Sequence, residues 1–188
     1  MDLIELQGRI AQGDEQAFEA LYRRFHSKLI TFSRSLVKTR ELAEEIVEDV
    51  FVKLWCRRES VNGIRNLTVY LYCATRNQSL NALSSEARQL VTEVLDLTEA
   101  EVRPLNESPH DLFVTSEIMQ LVQQTIDLLP KRCRMIFQLV REDGLKYKEV
   151  AEILNISVNT IDAQMAIAVK RLCAALGVEQ SKKRVLNQ

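Results

Sequence analysis

The stretch "YKEVAEILNISVNTIDAQMAIAVKRL", residues 147–172, has the pattern of two helices joined by a tight turn. Ala151 lies midway along the first helix, where a small residue lets two helices cross closely. Asn155 occupies the turn, and Asn is the non-glycine residue that best tolerates the left-handed backbone region. Ile156 would then enter the core, and Ser157 would cap the second helix. The pattern predicts a helix-turn-helix.

The second helix of this pair has an inward and an outward face. Its inward stripe consists of apolar residues at helical spacing: Ile161, Met165, Ala168 and Leu172. Its outward face carries Asn159, Thr160, Ala163, Gln164 and Ile167, followed by Lys170 and Arg171. Amides and hydroxyls near the start of such a helix can reach base edges, and a terminal basic pair can reach phosphates. The spacing favours DNA binding, although an ordinary pair of antiparallel helices would share it.

The composition favours an all-α globular protein. Hydrophobic residues make up 46% of the 188 residues and charged residues 27%, as in soluble domains, while Gly and Pro are few. No stretch has the roughly 18 to 20 apolar residues of a membrane span, and the N-terminus lacks the basic start of a signal peptide, so we expect a cytosolic protein. The four Cys residues are far apart and the two His residues isolated, which predicts no metal site, no disulfide and no cofactor.

Helical periodicity divides the chain into two domains, at residues 1–92 and 114–188. In the first, Asp14 and Thr39 are expected to cap helices, and a third helix is predicted over residues 67–90. One buried face is predicted for the first of these helices: Phe18, Leu21, Tyr22, Phe25, Leu29 and Phe32. Residues 93–113 contain two of the three prolines and little periodicity, which indicates a flexible linker.

Charge follows the same division. Residues 1–92 hold 13 Lys and Arg against 12 Asp and Glu, residues 93–113 hold 1 against 6, and residues 114–188 hold 11 against 8. The net charge of −1 therefore hides an acidic linker between a neutral domain and a mildly basic one.

Three segments together resemble bacterial RNA polymerase sigma factors of the extracytoplasmic-function (ECF) type, in the sigma-70 class. "AEEIVEDVFVKLW" is similar to the core-binding helix of region 2, and "YLYCATRNQSLNAL" to the helix that recognises the promoter −10 element. "LLPKRCRMIFQLVREDGLKYKEVAEILNISVNTIDAQMAIAVKRL" resembles region 4, which binds the −35 element. The resemblance implies a subunit that binds core RNA polymerase and promoter DNA, helps to melt the DNA, and has no catalytic activity or small-molecule substrate. An anti-sigma factor is a further partner that it suggests.

The resemblance also implies which residues make these contacts. For core polymerase they are Glu45, Asp49, Val52, Lys53, Leu54 and Trp55. For the −10 element they are Arg65 and Asn66 in the loop before the third helix, then Arg76, Asn77 and Asn81. For the −35 element they are Lys148, Ser157, Asn159, Thr160, Ala163, Gln164, Lys170 and Arg171. This sequence departs from family members that carry additional Arg or His near Gln164 and Ile167, so we expect a weak phosphate grip there.

Asn77 and Asn81 also attract attention without the resemblance. They stand four residues apart on one helical face beside Arg76, and Asn is a poor residue for a helix interior. A pocket of amides can offset the few kcal/mol that it costs to take a base out of the stack. Surface residues placed by chance would give the same spacing.

Two other functions compete with the sigma factor. A stand-alone helix-turn-helix regulator would bind DNA alone, but the acidic "EEIVED" helix argues against it. A helical interaction module that binds protein and no DNA would suit the near-neutral charge, but the Asn-rich third helix argues against that. An enzyme is not expected, since there is no Gly-rich phosphate loop and no nucleophile with a base. Because both domains should expose apolar partner surfaces, we predict that a compact form, with region 4 folded on region 2, is at least partly populated.

Overall fold

The computed structural model describes residues 2–37, 39–83 and 115–177, and these ranges contain helices and no β-strand. The first domain contains α1 (Leu3–Ala11), α2 (Glu15–Leu36), α3 (Arg40–Cys56), a 3-10 turn (Arg58–Gly63) and α4 (Leu67–Ala82). The second contains α5 (Thr115–Asp127), α6 (Lys131–Arg141), α7 (Tyr147–Leu154) and α8 (Val158–Ala175). The prediction of an all-α protein is confirmed. The predicted linker at 93–113 lies outside the described residues.

The helices of the first domain begin where the sequence predicts. The side chain of Asp14 accepts a hydrogen bond from the Ala17 N–H at the start of α2, and Thr39 accepts one from the Leu42 N–H at the start of α3. The third predicted helix, α4, is shorter than expected. It ends at Ala82 because Leu83 has an extended backbone, with φ −81° and ψ 148°. Residues 84–90 of that prediction lie outside the described ranges.

Helix α1, which the periodicity did not predict, anchors the segment that leads into α4. Gln7 is buried, and its side-chain amide donates hydrogen bonds to the Val61 carbonyl at 3.1 Å and the Ile64 carbonyl at 2.9 Å. Two backbone acceptors of the 3-10 turn and its exit are thereby satisfied by one side chain, which compensates for their burial. The chain then reaches Asn66, which caps α4 by accepting from the Val69 N–H.

The helix-turn-helix is confirmed. Asn155 ends α7 in the left-handed region, with φ 57° and ψ 47°, and it is the only non-glycine residue with positive φ in the described ranges. The Ser157 hydroxyl accepts a hydrogen bond from the Thr160 N–H at 3.1 Å and so caps α8. The inward stripe of α8 packs as predicted: Ile161, Met165 and Ala168 are buried, and Leu172 packs against the same core.

The two domains lie against each other. Helix α7 packs on α4, and α6 packs on α2. A polar cluster joins them: Tyr72 and Lys28 of the first domain contact Asp143, and Asn66 contacts Glu149. No helix in the described ranges is long and apolar enough to cross a membrane.

Candidate protein and nucleic-acid interfaces

Helices α2 and α3 form an open groove with an aromatic floor. Its volume is about 570 Å³, and its lining residues are Glu15, Phe18, Tyr22, Glu48, Phe51, Val52 and Trp55. The Phe18 ring lies 4.8 Å from the Trp55 ring and 6.0 Å from the Phe51 ring, and Tyr22 lies 4.8 Å from Phe51, measured between ring centroids. Such packing keeps the rings in place although one side of them remains open to solvent.

The rim of this groove is acidic. Glu15 stands at the start of α2, and Glu48 lies on the exposed face of α3 beside Tyr22. Burial raises the pKa of the Tyr22 hydroxyl, and the charge of Glu48 raises it further, which shows how close that carboxylate lies. An apolar floor within an acidic rim suits a partner segment that combines apolar side chains with Lys or Arg.

The predicted polymerase-binding residues fall on both sides of α3. Val52 is 59% exposed, Trp55 is half-buried in the groove, and Glu45 is exposed. Lys53 donates to Gln78 on α4 at 3.0 Å and lies 3.5 Å from Asp49, so these exposed charges partly engage each other.

Leu54 does not share that face. It is 2% exposed and belongs to the core of the first domain, so it supports α3 from within and offers no surface to a partner in this conformation.

Phe18 and Tyr22 also lie where the sequence did not suggest. We expected them on the buried face of α2, but only Leu21, Phe25, Leu29 and Phe32 of that set are buried, while Phe18 and Tyr22 line the groove. A helical stripe six residues wide exceeds what one neighbouring helix can cover. The width of the stripe was therefore the available signal for a second surface.

The residues predicted for −10 DNA lie along α4 and the loop before it. Arg65 and Asn77 are exposed, and Arg76 is half-buried, with no hydrogen-bond partner for its Nε among the described residues. Asn81 is exposed near the end of the helix. Asn66 is occupied twice, because its Oδ1 caps α4 and its Nδ2 donates to Glu149 Oε1 at 2.8 Å.

The two tyrosines of α4 have different environments. Tyr72 is buried against Phe32, with ring centroids 5.3 Å apart, and burial raises the pKa of its hydroxyl. Tyr70 is 39% exposed and is the tyrosine of the pair that a base can reach.

The helix-turn-helix exposes most of the residues predicted for −35 DNA. Lys148, Ser157, Asn159, Ala163 and Lys170 are exposed, while Thr160 and Gln164 are half-buried.

Arg171 is held against the second domain rather than pointing freely outward. Its guanidinium donates to the Leu128 carbonyl at 3.1 Å and thereby satisfies an acceptor at the end of α5. Ile167, also expected on the outward face, packs against the core. The exposed outward face is thus concentrated in the first two turns of α8.

Family models match both domains. The model described as Sigma-70 region 2 matches residues 21–89, and the model described as Sigma-70, region 4 matches residues 119–172. The two ranges contain α5–α8 almost entirely and α2–α4 with all but the first turn or two of α2. They appear in the order that the resemblance predicted.

Curated relatives align along most of the chain. The ECF RNA polymerase sigma-E factor of Escherichia coli (strain K12) is 27% identical over 164 residues, covering 84% of this chain and 85% of that protein. The sigma-E factor of Haemophilus influenzae is 26% identical over 163 residues, covering 84% and 86%.

Solved structures share the fold. The structure of CnrH in complex with the cytosolic domain of CnrY superimposes with a TM-score of 0.54 at 19% identity, covering 94% of this chain and 98% of that one. The sigma factor RpoE in complex with the anti-sigma factor NepR from Bartonella quintana gives 0.53 at 23% identity, covering 87% and 98%. With both sigma-70 regions matched in order, the chain belongs to the ECF sigma factors, the subunits that direct RNA polymerase to promoters.

Proposed function

We propose that this sigma factor divides its work among three surfaces. The groove between α2 and α3 binds core RNA polymerase, the loop and outer face of α4 bind the −10 element, and the first turns of α8 bind the −35 element. The observation that supports this division best is the groove, because a solvent-facing aromatic floor is costly for a protein that functions alone.

Core polymerase would enter the groove with an apolar side chain against Phe18 and Trp55. Val52 stands at the edge with 59% of its surface exposed, so a partner would remove it from water. Glu15 and Glu48 would pair with basic residues of the partner at the rim, where charge guides the approach more than it adds affinity. This groove extends the predicted surface from α3 onto α2.

At the −10 element, Asn77 and Arg65 would contact the separated strand. Both are exposed, and both reach outward from elements held in place by the core of the first domain. Asn77 can offer an amide to a base edge, and Arg65 can offer a guanidinium to a phosphate. Tyr70 supplies an accessible ring on which a base could stack.

At the −35 element, Asn159 and Ala163 would face the major groove and Lys148 the backbone. The first residues of a recognition helix lie deepest in the groove, which fits the concentration of exposed polar residues near Ser157. Specificity would come from few contacts, and core polymerase would supply much of the affinity for phosphates.

The remaining partners and the location follow from this role. An ECF sigma factor acts on polymerase in the cytoplasm, where we place this chain. An anti-sigma factor would compete for the α2–α3 groove, whose acidic rim and aromatic floor suit a basic, apolar segment of either partner.

The test is co-elution of the full chain with bacterial core polymerase, followed by mapping of the transcripts that the complex initiates in vitro on genomic DNA. Val52→Glu should weaken core binding at least tenfold, since a buried interface anchor is worth about 2 kcal/mol. Ile4→Glu is the matched control, because Ile4 is 74% exposed on α1, away from the groove.

The −10 surface is tested on the same complex. Asn77→Ala should reduce promoter opening while core binding is retained, and Gln16→Ala, an exposed amide on α2, should change neither. Failure of the wild-type chain to bind core polymerase would overturn the proposal. Core binding that is equally sensitive to Val52→Glu and Ile4→Glu would overturn the assignment of the groove.

A further inference from the structure

Asp143, in the turn between α6 and α7, is the centre of the contact between the two domains. Its Oδ2 accepts a hydrogen bond from the Tyr72 hydroxyl at 2.6 Å, and its Oδ1 lies 3.8 Å from Lys28 Nζ. Lys28 Nζ also lies 3.5 Å from the backbone carbonyl of Asp143. Tyr72 is 1% exposed, so one acidic residue of the second domain reaches into the side of the first. Charge-assisted bonds of this kind are among the stronger hydrogen bonds in proteins.

Glu149, at the start of α7, makes a second contact with a different part of the first domain. Its Oε1 accepts from Asn66 Nδ2 at 2.8 Å, and its Oε2 accepts from the Lys146 N–H at 2.8 Å. One carboxylate therefore completes the start of α7 and also holds the residue that caps α4. While this bond exists, the amide of Asn66 is not available to a base.

The contact continues along α4. Burial raises the pKa of the Cys73 thiol, and the nearby charge of Glu152 on α7 raises it further. Asn66, Cys73 and Asn77 follow one face of the helix, seven and four residues apart. The second domain covers the first part of that face, and Asn77 lies just beyond the covered part.

The covering residues are acidic. Asp143, Glu149 and Glu152 stand over the surface where the phosphates of the −10 strand would lie, and like charges at such distances repel. The closed arrangement thus opposes DNA twice: it covers the surface and it places negative charge there.

We propose that the second domain, through Asp143 and Glu149, holds the first in a closed state that excludes −10 DNA until polymerase separates the two domains. This inference rests on the proposed role of α4. The free sigma factor would then bind single-stranded DNA poorly although α4 itself is complete. The covered surface and the −10 surface are one, so the two states exclude each other.

The test uses the full-length chain and a pool of single-stranded DNA of random sequence. Tyr72→Phe removes the hydroxyl and keeps the ring, and Asp143→Ala removes the carboxylate from the other side. Each should raise the affinity for the pool about tenfold, which is what the loss of a charge-assisted hydrogen bond from the closed state allows. Each should also increase the radius of gyration measured by X-ray scattering.

Glu19→Ala is the matched control. Glu19 pairs with Arg23 on the exposed side of α2, so this variant removes one negative charge, as Asp143→Ala does, and leaves the domain contact intact. Its affinity for the pool and its radius of gyration should equal those of the wild type. Circular dichroism melting identifies any variant that has lost its fold, and Tyr72→Phe and Asp143→Ala provide independent routes to the same result.

Binding to core polymerase separates the two ways of failing. If the wild-type chain binds core but Tyr72→Phe and Asp143→Ala leave affinity and radius unchanged, the closed state is not inhibitory and this inference is overturned. A wild-type radius of gyration that already matches two separated domains would overturn it as well. If the wild-type chain does not bind core, the proposed function itself fails, whatever the variants do.

Discussion

Helices α4 and α8 are the two proposed DNA-binding helices of this chain, and they differ in accessibility. Both begin with a polar side chain that accepts a backbone hydrogen bond at 3.1 Å, that of Asn66 in α4 and that of Ser157 in α8. The residues after Ser157 are largely exposed, whereas the start of α4 is closed by Glu149. Accessibility is therefore set by what packs on a helix, since similar starting sequences lead to opposite outcomes.

The strongest way to break the comparison is to remove the support of α8. Ile161 is fully buried beneath the recognition helix, so Ile161→Ala should lower the free energy of unfolding by about 2–5 kcal/mol. Denaturant unfolding followed by circular dichroism measures this change. Binding to −35 DNA should fall with it, while core binding through the α2–α3 groove should remain.

Val169→Ala is the control on the same helix. Val169 is 37% exposed, and its truncation should stay within about 0.5 kcal/mol of the wild type. Equal destabilisation by both variants would contradict the assignment of faces on α8.

The two helix caps provide a sharper comparison. Ser157→Ala should cost about 1 kcal/mol, the usual value for losing an N-cap side chain. Asn66→Ala should cost more, because Asn66 caps α4 and also donates to Glu149. Thermal unfolding of the full chain checks the order of the two effects.

Asn66→Asp separates the two roles of this residue. The carboxylate still caps α4 but meets Glu149 with a like charge, so the cap should survive while the domains move apart. A radius of gyration identical to that of the wild type would show that the Asn66–Glu149 bond does not help to hold the domains.

The basic pair that ends the outward face of α8 should divide in function. Arg171→Ala should lower stability by about 1 kcal/mol because its guanidinium is bound to the Leu128 carbonyl. Lys170→Ala should leave stability unchanged and reduce the salt dependence of promoter binding by about one phosphate contact. Unfolding curves and a salt titration of the polymerase complex check both. Equal salt slopes for wild type and Lys170→Ala would remove Lys170 from the interface.

The smallest expected effect is a pH dependence at Asp143. Burial raises its pKa above the ordinary 3.8, against the opposing effects of the Tyr72 hydrogen bond and Lys28, and burial also raises the pKa of neighbouring Glu142. The closed state therefore binds the proton more tightly than the open state does. Stability of the closed state should be highest at low pH and fall as the pH rises through the raised pKa.

Asp143→Asn should flatten this dependence, and Glu19→Gln should not. Thermal unfolding and the radius of gyration, followed from about pH 3.8 upward, measure the change. A stability that rises with pH through this window in the wild type alone would contradict the assignment.

Local sequence patterns predicted the second domain well and the contacts between distant segments poorly. Asn155 and Ser157 act within a few residues of their own positions, so their roles follow from the conformations that Asn and Ser prefer. The groove needed Phe18 from one helix and Trp55 from another, and the domain contact needed Tyr72 beside Asp143. Such pairs depend on how helices pack, which periodicity does not specify. Leu54 illustrates the same gap, because its neighbours in sequence are exposed or half-buried and it is not.

Gln7 has a consequence for how DNA recognition would be shared between folding and binding. By holding the Val61 and Ile64 carbonyls, it fixes the segment that ends at Arg65 and Asn66. The loss of conformational entropy in that loop, on the order of 1–2 kcal/mol per residue, is incurred when the protein folds rather than when it meets the promoter. A preorganised loop can bind with fewer contacts than a flexible one, which suits a factor whose recognition helix carries so few basic residues.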